Sequence, residues 1–576
     1  ACIAVLSKGW HLPIGDGTIL FPPVPWFAVV AAVTWLGWRF GGRGLAILSF
    51  LCFLYLAVFG QWASAMITLS SILVAVPVGV VVGTALGILA HRHEGFARVI
   101  RPILDLMQTV PVFAYLVPVL FLFGFGPVSA MIATIIYAIP PMVRVTMLAL
   151  RGVAPEIVEF GNMTGCTARQ MLWRILLPTA RPSLMVGVNQ VIMLSLNMVI
   201  IASMIGAGGL GRDVLTSLRR LAIGDGLEAG LAITLLAITL DRLSQAFVTR
   251  QKQPLHVEMD KSFLARHATA VVFFALVFAG FLTAALAPSI ALYPQSMVID
   301  TGPFWDELVR LINVHLYDYL DAIKSFLLIY VLVPLKRFMV DAPWLGVMAV
   351  LAVAGMRLGG LRLAVTVALM AAFIALTGNW EKAMISVYLC GLSVIIASAI
   401  GIPVGILSAR HPGIRQVVRT TIDTLQTLPS FVYLIPVVML FAVGDFSAMI
   451  AIVLYALAPA VRYADHGIRK VRPSIIEAGT MAGCKPSQLL WKVQLPLAMP
   501  ELMLGLNQTI MMALSMLVIT ALVGTNDLGQ EVYIALTRAD IGQGVVAGLC
   551  VAFIAMIADR LISAWAEERK RQLQIE

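Results

Sequence analysis

Charge is scarce in this chain: of its 576 residues only 12% are Asp, Glu, Lys or Arg. That is about half the roughly 25% of an ordinary soluble domain, too little to build a water-facing surface. Cysteine is sparse too, and the six present (Cys2, Cys52, Cys166, Cys390, Cys484 and Cys550) show no C-x-x-C spacing. Neither a disulfide framework nor a zinc site is indicated. The eight histidines have no ligand spacing and no acid pair stands ready for hydrolysis, which argues against a metal centre and a membrane-embedded enzyme. The string G-x-x-x-x-G-K-[ST] occurs nowhere, so a P-loop ATPase is excluded from this chain. The net charge of +10 has no basic stripe interleaved with stacking aromatics, so nucleic acid is not an expected partner.

What the chain has is apolar length. Sixty per cent of its residues are hydrophobic and the mean hydropathy is +0.94. Runs such as Ala270–Ala287, Ala383–Ala409 and Leu502–Val523 approach or reach the roughly 20 residues that cross the hydrocarbon core. The expected fold class is an all-α polytopic transmembrane bundle. The start, ACIAVLSKGWHLP, lacks the ordered basic, apolar and cleavage regions of a signal peptide. Its first residue is Ala rather than Met, which leaves room for residues upstream of Ala1.

The chain repeats itself. QTVPVFAYLVP at Gln108–Pro118 returns as QTLPSFVYLIP at Gln426–Pro436, an offset of 318 residues. The same offset pairs Trp62 with Trp380, Tyr137 with Tyr455, Arg144 with Arg462 and Asp241-Arg242 with Asp559-Arg560. Between Glu159–Gln190 and Glu477–Gln508, 17 of 32 positions are identical without a gap. The expected organisation is a first repeat over 1–250 (core 63–249), a connection over 251–342, and a second repeat over 343–576 (core 383–566).

Helices are expected near 25–38, 45–59, 63–90, 108–125, 129–150, 184–205 and 228–249, and again near 343–356, 361–377, 383–409, 430–444, 447–468, 502–523 and 545–566. This arrangement leaves the Arg39/Arg43, Arg92/Arg98/Arg101, Arg151–Arg181 and Arg250/Lys252 clusters on the cytoplasmic side, as the positive-inside rule requires. Seven spans per repeat is an odd number, so parallel repeats need one extra crossing, which residues 264–287 supply. Phe304–Met339 mixes aromatic, acidic and apolar residues and reads as an amphipathic helix along the outer face.

One stretch per repeat is too polar for lipid: Arg151–Arg181 and Arg469–Met499. Each starts at a proline (Pro155, Pro473), turns at Gly165 or Gly483 and reaches Leu-Pro. The expected form is a helical elbow with its second helix halted by proline, a rigid knob suited to a groove in another protein.

The spacing E-A-A, three residues, G, nine residues, I-x-L-P resembles the cytoplasmic signature of bacterial ABC import permeases. Glu159, Gly165, Ile175, Leu177 and Pro178 match it in place, as do Glu477, Ala478, Gly483, Leu495 and Pro496. Phe160 and Gly161 replace the two alanines, Gly479 the second alanine, and Val493 the isoleucine. The resemblance implies that these elbows are coupling helices seated on two cytoplasmic ATP-binding subunits. It also implies a periplasmic or lipid-anchored substrate-binding protein, a place in the bacterial inner membrane, and ATP and Mg held on the partners, with no cofactor in this chain.

NQVIMLSLNMVIIASMIGAGGLG (Asn189–Gly211) and NQTIMMALSMLVITALVGTNDLG (Asn507–Gly529) further resemble the glycine betaine/proline betaine/choline branch. That branch implies small quaternary amines as cargo, glycine betaine, choline or trimethylamine N-oxide among them, carried along an alternating-access pathway. Its permeases usually carry one unit per chain, so here the pair is fused. An ion-gradient-driven transporter of similar solutes is the rival reading. It requires inverted repeats and buried coordinating acids, whereas these repeats are parallel.

Other residues carry two readings each. Asn189, Gln190, Asn507 and Gln508 either bond across helices as glue or line the pathway, and Ser195, Asn197 and Ser515 face the same choice. Tyr115, Tyr137, Tyr433 and Tyr455 either offer aromatic faces to a methylated ammonium or simply pack. Met193, Met198, Met511, Met512 and Met516 are core or a repackable surface. Asp105 and Asp423, at the start of equivalent helices, are capping or ion-paired groups by default. Asp241-Arg242 and Asp559-Arg560 are expected to orient the last helix of each repeat. Gly206, Gly208 and Gly211 spell G-x-G-x-x-G but follow a membrane span rather than a strand, so a turn or gate is preferred to a nucleotide loop.

Overall fold

The computed structural model describes residues 10–14, 17–21, 23–109, 112–206, 208–220, 222–251, 268–286 and 293–572. Apart from one antiparallel hairpin, β1 (Trp10–Ile14) with β2 (Gly17–Phe21), the described elements are helical. The first repeat runs α1 (Trp26–Val58), α2 (Trp62–Arg92), α3 (Glu94–Thr109), α4 (Val112–Phe123), α5 (Pro127–Arg151), α6 (Pro155–Met163), α7 (Ala168–Ala202), α8 (Leu210–Arg220) and α9 (Ile223–Gln251). α10 (Ala268–Leu286), α11 (Gly302–Leu327) and α12 (Val333–Val340) form the connection. The second repeat follows as α13 (Trp344–Leu376), α14 (Trp380–Arg410), α15 (Pro412–Thr427), α16 (Ser430–Phe441), α17 (Asp445–Lys470), α18 (Pro473–Met481), α19 (Pro486–Val523), α20 (Leu528–Arg538) and α21 (Ile541–Gln572). Among the described residues ten helices are long and apolar enough to cross a membrane: α1, α2, α5, α7 and α9, and their repeats α13, α14, α17, α19 and α21. The protein is a multi-pass bundle.

Three expectations change in the structure. The paired short spans at the head of each repeat are two arms of one folded helix. α1 reverses at Gly42 (φ 75°, ψ −162°) and α13 at Gly360 (φ 73°, ψ −167°), a backbone that only a residue without Cβ adopts cheaply. The arms lie against each other: a Cβ on Gly37 would stand 2.9 Å from both Leu45 O and Ser49 Oγ, and one on Gly355 would meet Ala364 Cα at 2.9 Å.

The span expected near 108–125 is only the 12-residue α4, as its counterpart α16 is, about 18 Å long at 1.5 Å per residue. A helix this short falls short of the hydrocarbon core, so protein must cover its ends. Phe431, Leu434, Val437 and Val438 of α16 are accordingly buried. Ahead of each short helix lies an amphipathic helix, α3 or α15, that hydropathy alone did not separate from the basic loop.

The elbow's second helix is not halted at Leu-Pro. It continues unbroken as α7 and α19 into the membrane. Met171–Leu176 and Leu489–Gln494 form π-helical turns, with Leu177 N–H bonded to Leu172 O and Leu495 N–H to Leu490 O. The widened turn shifts the hydrogen-bond register just ahead of Pro178 and Pro496, so the missing proline N–H falls at the start of a fresh α segment where no donor is needed.

The chain divides into two compact units, one of Ala1–Gln108 and Leu122–Glu307, the other of Thr109–Phe121 and Leu308–Glu576. In the first, α2 and α5 pack through Gly79, Gly83 and Gly87: a Cβ on Gly83 would lie 2.6 Å from Met142 Cβ, and one on Gly87 2.5 Å from Thr146 Cβ. In the second, a Cβ on Gly401 of α14 would lie 2.6 Å from Ala460 Cβ, and one on Gly405 would be driven into the Val461 carbonyl oxygen. Small residues spaced by four let membrane helices touch backbone to backbone, and close van der Waals packing replaces the hydrophobic drive that lipid removes. α10 joins the first unit, where Gly280 rests on Ala28; it has 19 residues, and its apolar stretch Val271–Ala284 is shorter than the ten spans. Phe304–Met339 is helical, through α11, a π turn at Leu328–Leu332 and α12.

Candidate functional site

Each elbow is built by local chemistry. Pro155 and Pro473 start α6 and α18 at a position where the absent N–H costs nothing. Both helices end in a Schellman turn: Cys166 N–H bonds Gly161 O at 3.1 Å and Gly165 N–H bonds Asn162 O at 3.0 Å. The second elbow repeats this with Cys484 to Gly479 O at 3.1 Å and Gly483 to Thr480 O at 3.0 Å. The motif needs a left-handed residue, supplied by Gly165 (φ 72°) and Gly483 (φ 82°). Thr167 then starts α7 with a capping box, its N–H on Gln170 Oε1 at 2.9 Å and its hydroxyl accepting from Gln170 N–H at 3.3 Å.

The remaining signature residues hold the knob against its stem. Gly161 is buried where α6 crosses α7; a Cβ there would stand 2.6 Å from Met171 Cε and 2.7 Å from Ile175 Cδ1. A Cβ on Gly479 would stand 2.7 Å from Leu489 Cδ1, while Val493, Leu177, Leu495 and Pro496 are half-buried and Pro178 is exposed. Glu159 and Glu477 are exposed and form no ion pair among the described residues.

The outer surface of each knob is apolar where solvent would favour charge. Met163 is 87% and Trp173 61% exposed; their repeats Met481 and Trp491 are 90% and 67% exposed. Large apolar side chains standing free on the polar side of a membrane protein mark a docking surface. The tryptophans are not singled out by the sequence analysis, although each stands five residues ahead of the proline of its Leu-Pro in both polar loops. The two knobs also differ, with Phe160 exposed on the first where Ala478 stands on the second.

The candidate pathway residues separate into two groups. Asn189 Oδ1 accepts from Ser244 Oγ at 2.8 Å, joining α7 to α9, and Asn507 Nδ2 donates to Asp559 Oδ1 at 2.5 Å, joining α19 to α21. Both amides thus bond between helices inside their own units. Gln190 and Gln508, one residue on, are exposed. Asn197 is half-buried, Ser195 is buried, and Ser515 Oγ donates to the Met511 carbonyl of its own helix at 2.9 Å. Tyr455 stands edge-on to the buried Tyr433 with centroids 5.8 Å apart, and Tyr137 is half-buried; the side chain of Tyr115 lies outside the described residues.

Asp105 and Asp423 pair with Arg144 and Arg462. They sit in the last turns of α3 and α15 rather than at a helix start, because the amphipathic helices extend the basic loops. Asp241 is buried and accepts twice from Gln245 Nε2, at 2.9 and 2.8 Å. Gly206 and Gly208 have φ of 95° and 75° in the turn between α7 and α8. A long helix rather than a strand leads into them, so they make no nucleotide loop.

Residues 75–253 and 401–569 match the family described as the binding-protein-dependent transport system inner membrane component. The chain belongs to that family. This permease is 40% identical over 96% of its length to the trimethylamine N-oxide transport system permease protein TmoV of Pelagibacter ubique, covering 78% of that protein. It is also 40% identical over 96% of its length to TmoV of Ruegeria pomeroyi, covering 84%. The glycine betaine/proline betaine transport system permease protein ProW of Escherichia coli is 42% identical over 40% of this chain and 64% of its own, as expected for one unit of a fused pair. The permease is therefore a multi-pass inner-membrane transport subunit of the ABC class, and membership implies an ATPase and a substrate-binding protein as partners.

Proposed function

We propose that the permease forms the alternating-access pathway of an importer for small quaternary amines and related N-oxides, with trimethylamine N-oxide the first candidate and glycine betaine or choline as neighbours in chemistry. The full-length relatives named for trimethylamine N-oxide support this choice of cargo over those that match a single unit. Two cytoplasmic ATP-binding subunits hold ATP and Mg and receive one knob each, α6 with Trp173 and α18 with Trp491. A periplasmic or lipid-anchored binding protein delivers substrate to the outer face. Closure of the ATPase pair pulls the two knobs, and because α7 and α19 run unbroken from knob to bilayer, that movement is carried into the membrane by rigid helices.

The observation that carries the reading is the duplicated apolar knob on a continuous transmembrane stem. Uptake of radiolabelled trimethylamine N-oxide, glycine betaine and choline into proteoliposomes containing the permease, its ATPase and its binding protein tests it. ATP-dependent accumulation that survives a protonophore is the expected result. Accumulation driven by an ion gradient without ATP would overturn it.

A further inference from the structure

The two repeats part company at one place on the cytoplasmic side. In the first, Ala90, Ala97, Leu104, Val143 and Met147 close into an apolar cluster between α2, α3 and α5. At the offset of 318, three of those positions become Ser408, Arg415 and Asp465, and the neighbouring Leu148 becomes His466. An apolar cluster remains here around Ile422, Ala458 and Val461, but beside it α14, α15 and α17 enclose a cavity of about 390 Å³ lined by Arg415, Arg419, Arg462 and Arg469.

We infer that this cavity binds one phosphate-bearing anion per chain, and that the headgroup of an anionic phospholipid and a free phosphate are its two candidate sources. Four arginines face two carboxylates, Asp423 and Asp465, leaving an excess of two positive charges in a recess. Asp423 is shared between Arg462 and Arg419, the latter at 4.0 Å, and Asp465 takes Arg469 at 3.2 Å. Arg415 has no carboxylate partner among the described residues; it donates to the Ser408 and Ala409 carbonyls at 3.4 and 3.0 Å. Its guanidinium has five donors in a planar fork, so several remain for an oxyanion, and guanidinium forks match phosphate oxygens in pairs. A C-terminal cap on α14 explains two of Arg415's bonds, but a cap needs neither Arg419 nor the cavity.

The level of the site favours the lipid. α14 and α17 end here, at Arg410 and Lys470, and α15 exposes Ile414 and Val417 on the same helix that supplies Arg415 and Arg419. A helix with apolar and basic faces lies in the interface plane, and basic pockets between membrane helices on the cytoplasmic side suit anionic headgroups. The inference does not depend on which solute is carried.

Native mass spectrometry of the purified full chain tests it, with phosphatidylglycerol, phosphatidylcholine and inorganic phosphate added separately. One saturable phosphatidylglycerol adduct is expected, with phosphatidylcholine at least about tenfold weaker. Arg415→Ala, which restores the residue the first repeat carries at Ala97, and the exposed-site Arg419→Gln should each weaken phosphatidylglycerol about tenfold; Arg101→Gln in the first repeat should not. Phosphatidylglycerol binding that inorganic phosphate fails to displace assigns the lipid, whereas binding of inorganic phosphate that displaces it assigns the free ion. The inference is overturned if neither anion binds, if the two lipids bind alike, if R101Q weakens binding as much as R415A, or if monodisperse R415A and R419Q bind as wild type does.

Discussion

Arg410 donates from Nη2 to the carbonyl oxygen of Pro486 at 3.3 Å, lashing the cytoplasmic end of α14 to the first residue of α19. The first repeat makes the same tie from Arg92 to Ala168 O, also at 3.3 Å. Each elbow is thus held at both its stem and a neighbouring span. A single exposed bond of this kind contributes no more than about 1 kcal/mol, so its value is positional. The double variant Arg92→Ala with Arg410→Ala should insert and purify normally while amide exchange in 155–167 and 473–485 quickens. Unchanged exchange there would mean the arginines do not hold the knobs.

Gly165 and Gly483 have nothing within 4 Å of a built Cβ, so a substitution there acts through backbone alone. A β-branched residue at φ near 72° or 82° costs about 1–2 kcal/mol and unwinds the Schellman turn. Gly165→Val with Gly483→Val should leave expression intact and lower substrate uptake per ATP hydrolysed several-fold. Gly165→Asn with Gly483→Asn, which tolerates the left-handed region, should keep most of the coupling.

Trp173 and Trp491 are expected to be anchors for the ATPase rather than for the fold. Replacing both by Ala should leave the melting temperature in detergent nearly unchanged, since both rings are mostly exposed. Affinity for the ATPase, read by surface plasmon resonance on immobilised permease, should fall about tenfold or more. A drop in melting temperature with no change in affinity would reverse the assignment.

Asp527 in the loop ahead of α20 is fully buried; it accepts from Gln530 N–H at 2.9 Å, and its Oδ2 has no partner among the described residues. Burial outweighs the lowering pull of the Gln530 N–H and pushes the carboxyl up from 3.8 to about 7. The folded state then binds the proton more tightly than the unfolded one, so stability is greatest below the unfolded value and falls as pH rises from near 4 through about 7. Asp527→Asn keeps an N-cap acceptor and removes the ionisation. Its melting temperature should exceed that of wild type at pH 8 and converge with it near pH 4; parallel curves across that range would refute the account.

Gly83 and Gly405 are placed where α2 meets α5 and where α14 meets α17. Leu at either position would be driven into Met142 or the Val461 carbonyl, an overpacking cost of about 1–3 kcal/mol or more. Each single variant should lower the melting temperature, and together they should abolish a monodisperse preparation.

How much of this was readable in advance follows from the range of each force. The offset of 318, the major spans and the two polar elbows stood out in the sequence because hydropathy, charge bias and turn glycines act over a few residues at a time. Asp105 and Asp423 could be marked as pairing groups, but not placed, since α3 and α15 are amphipathic helices whose apolar faces find cover only in the packed unit. Leu177-Pro178 looked like a terminus because proline breaks an α-helix; a π turn at Met171–Leu176, where Met171 and Ile175 close on Gly161, carries α7 past it. The recurrence of Trp173 and Trp491 at one offset was visible in the sequence, but their exposure was not, since it depends on the face of the stem they occupy.

The order of spans, their duplication and the position of the knobs were thus written into local chemistry along the chain. The cavity at Arg415 was not. Ala97 and Arg415 occupy the same place in two homologous helices, and whether that place becomes a seal or an anion pocket rests on what Ser408, Asp465 and His466 present from neighbouring helices. Electrostatics in a recess are set by every charge that faces it, and which charges face it is known only once the helices have packed.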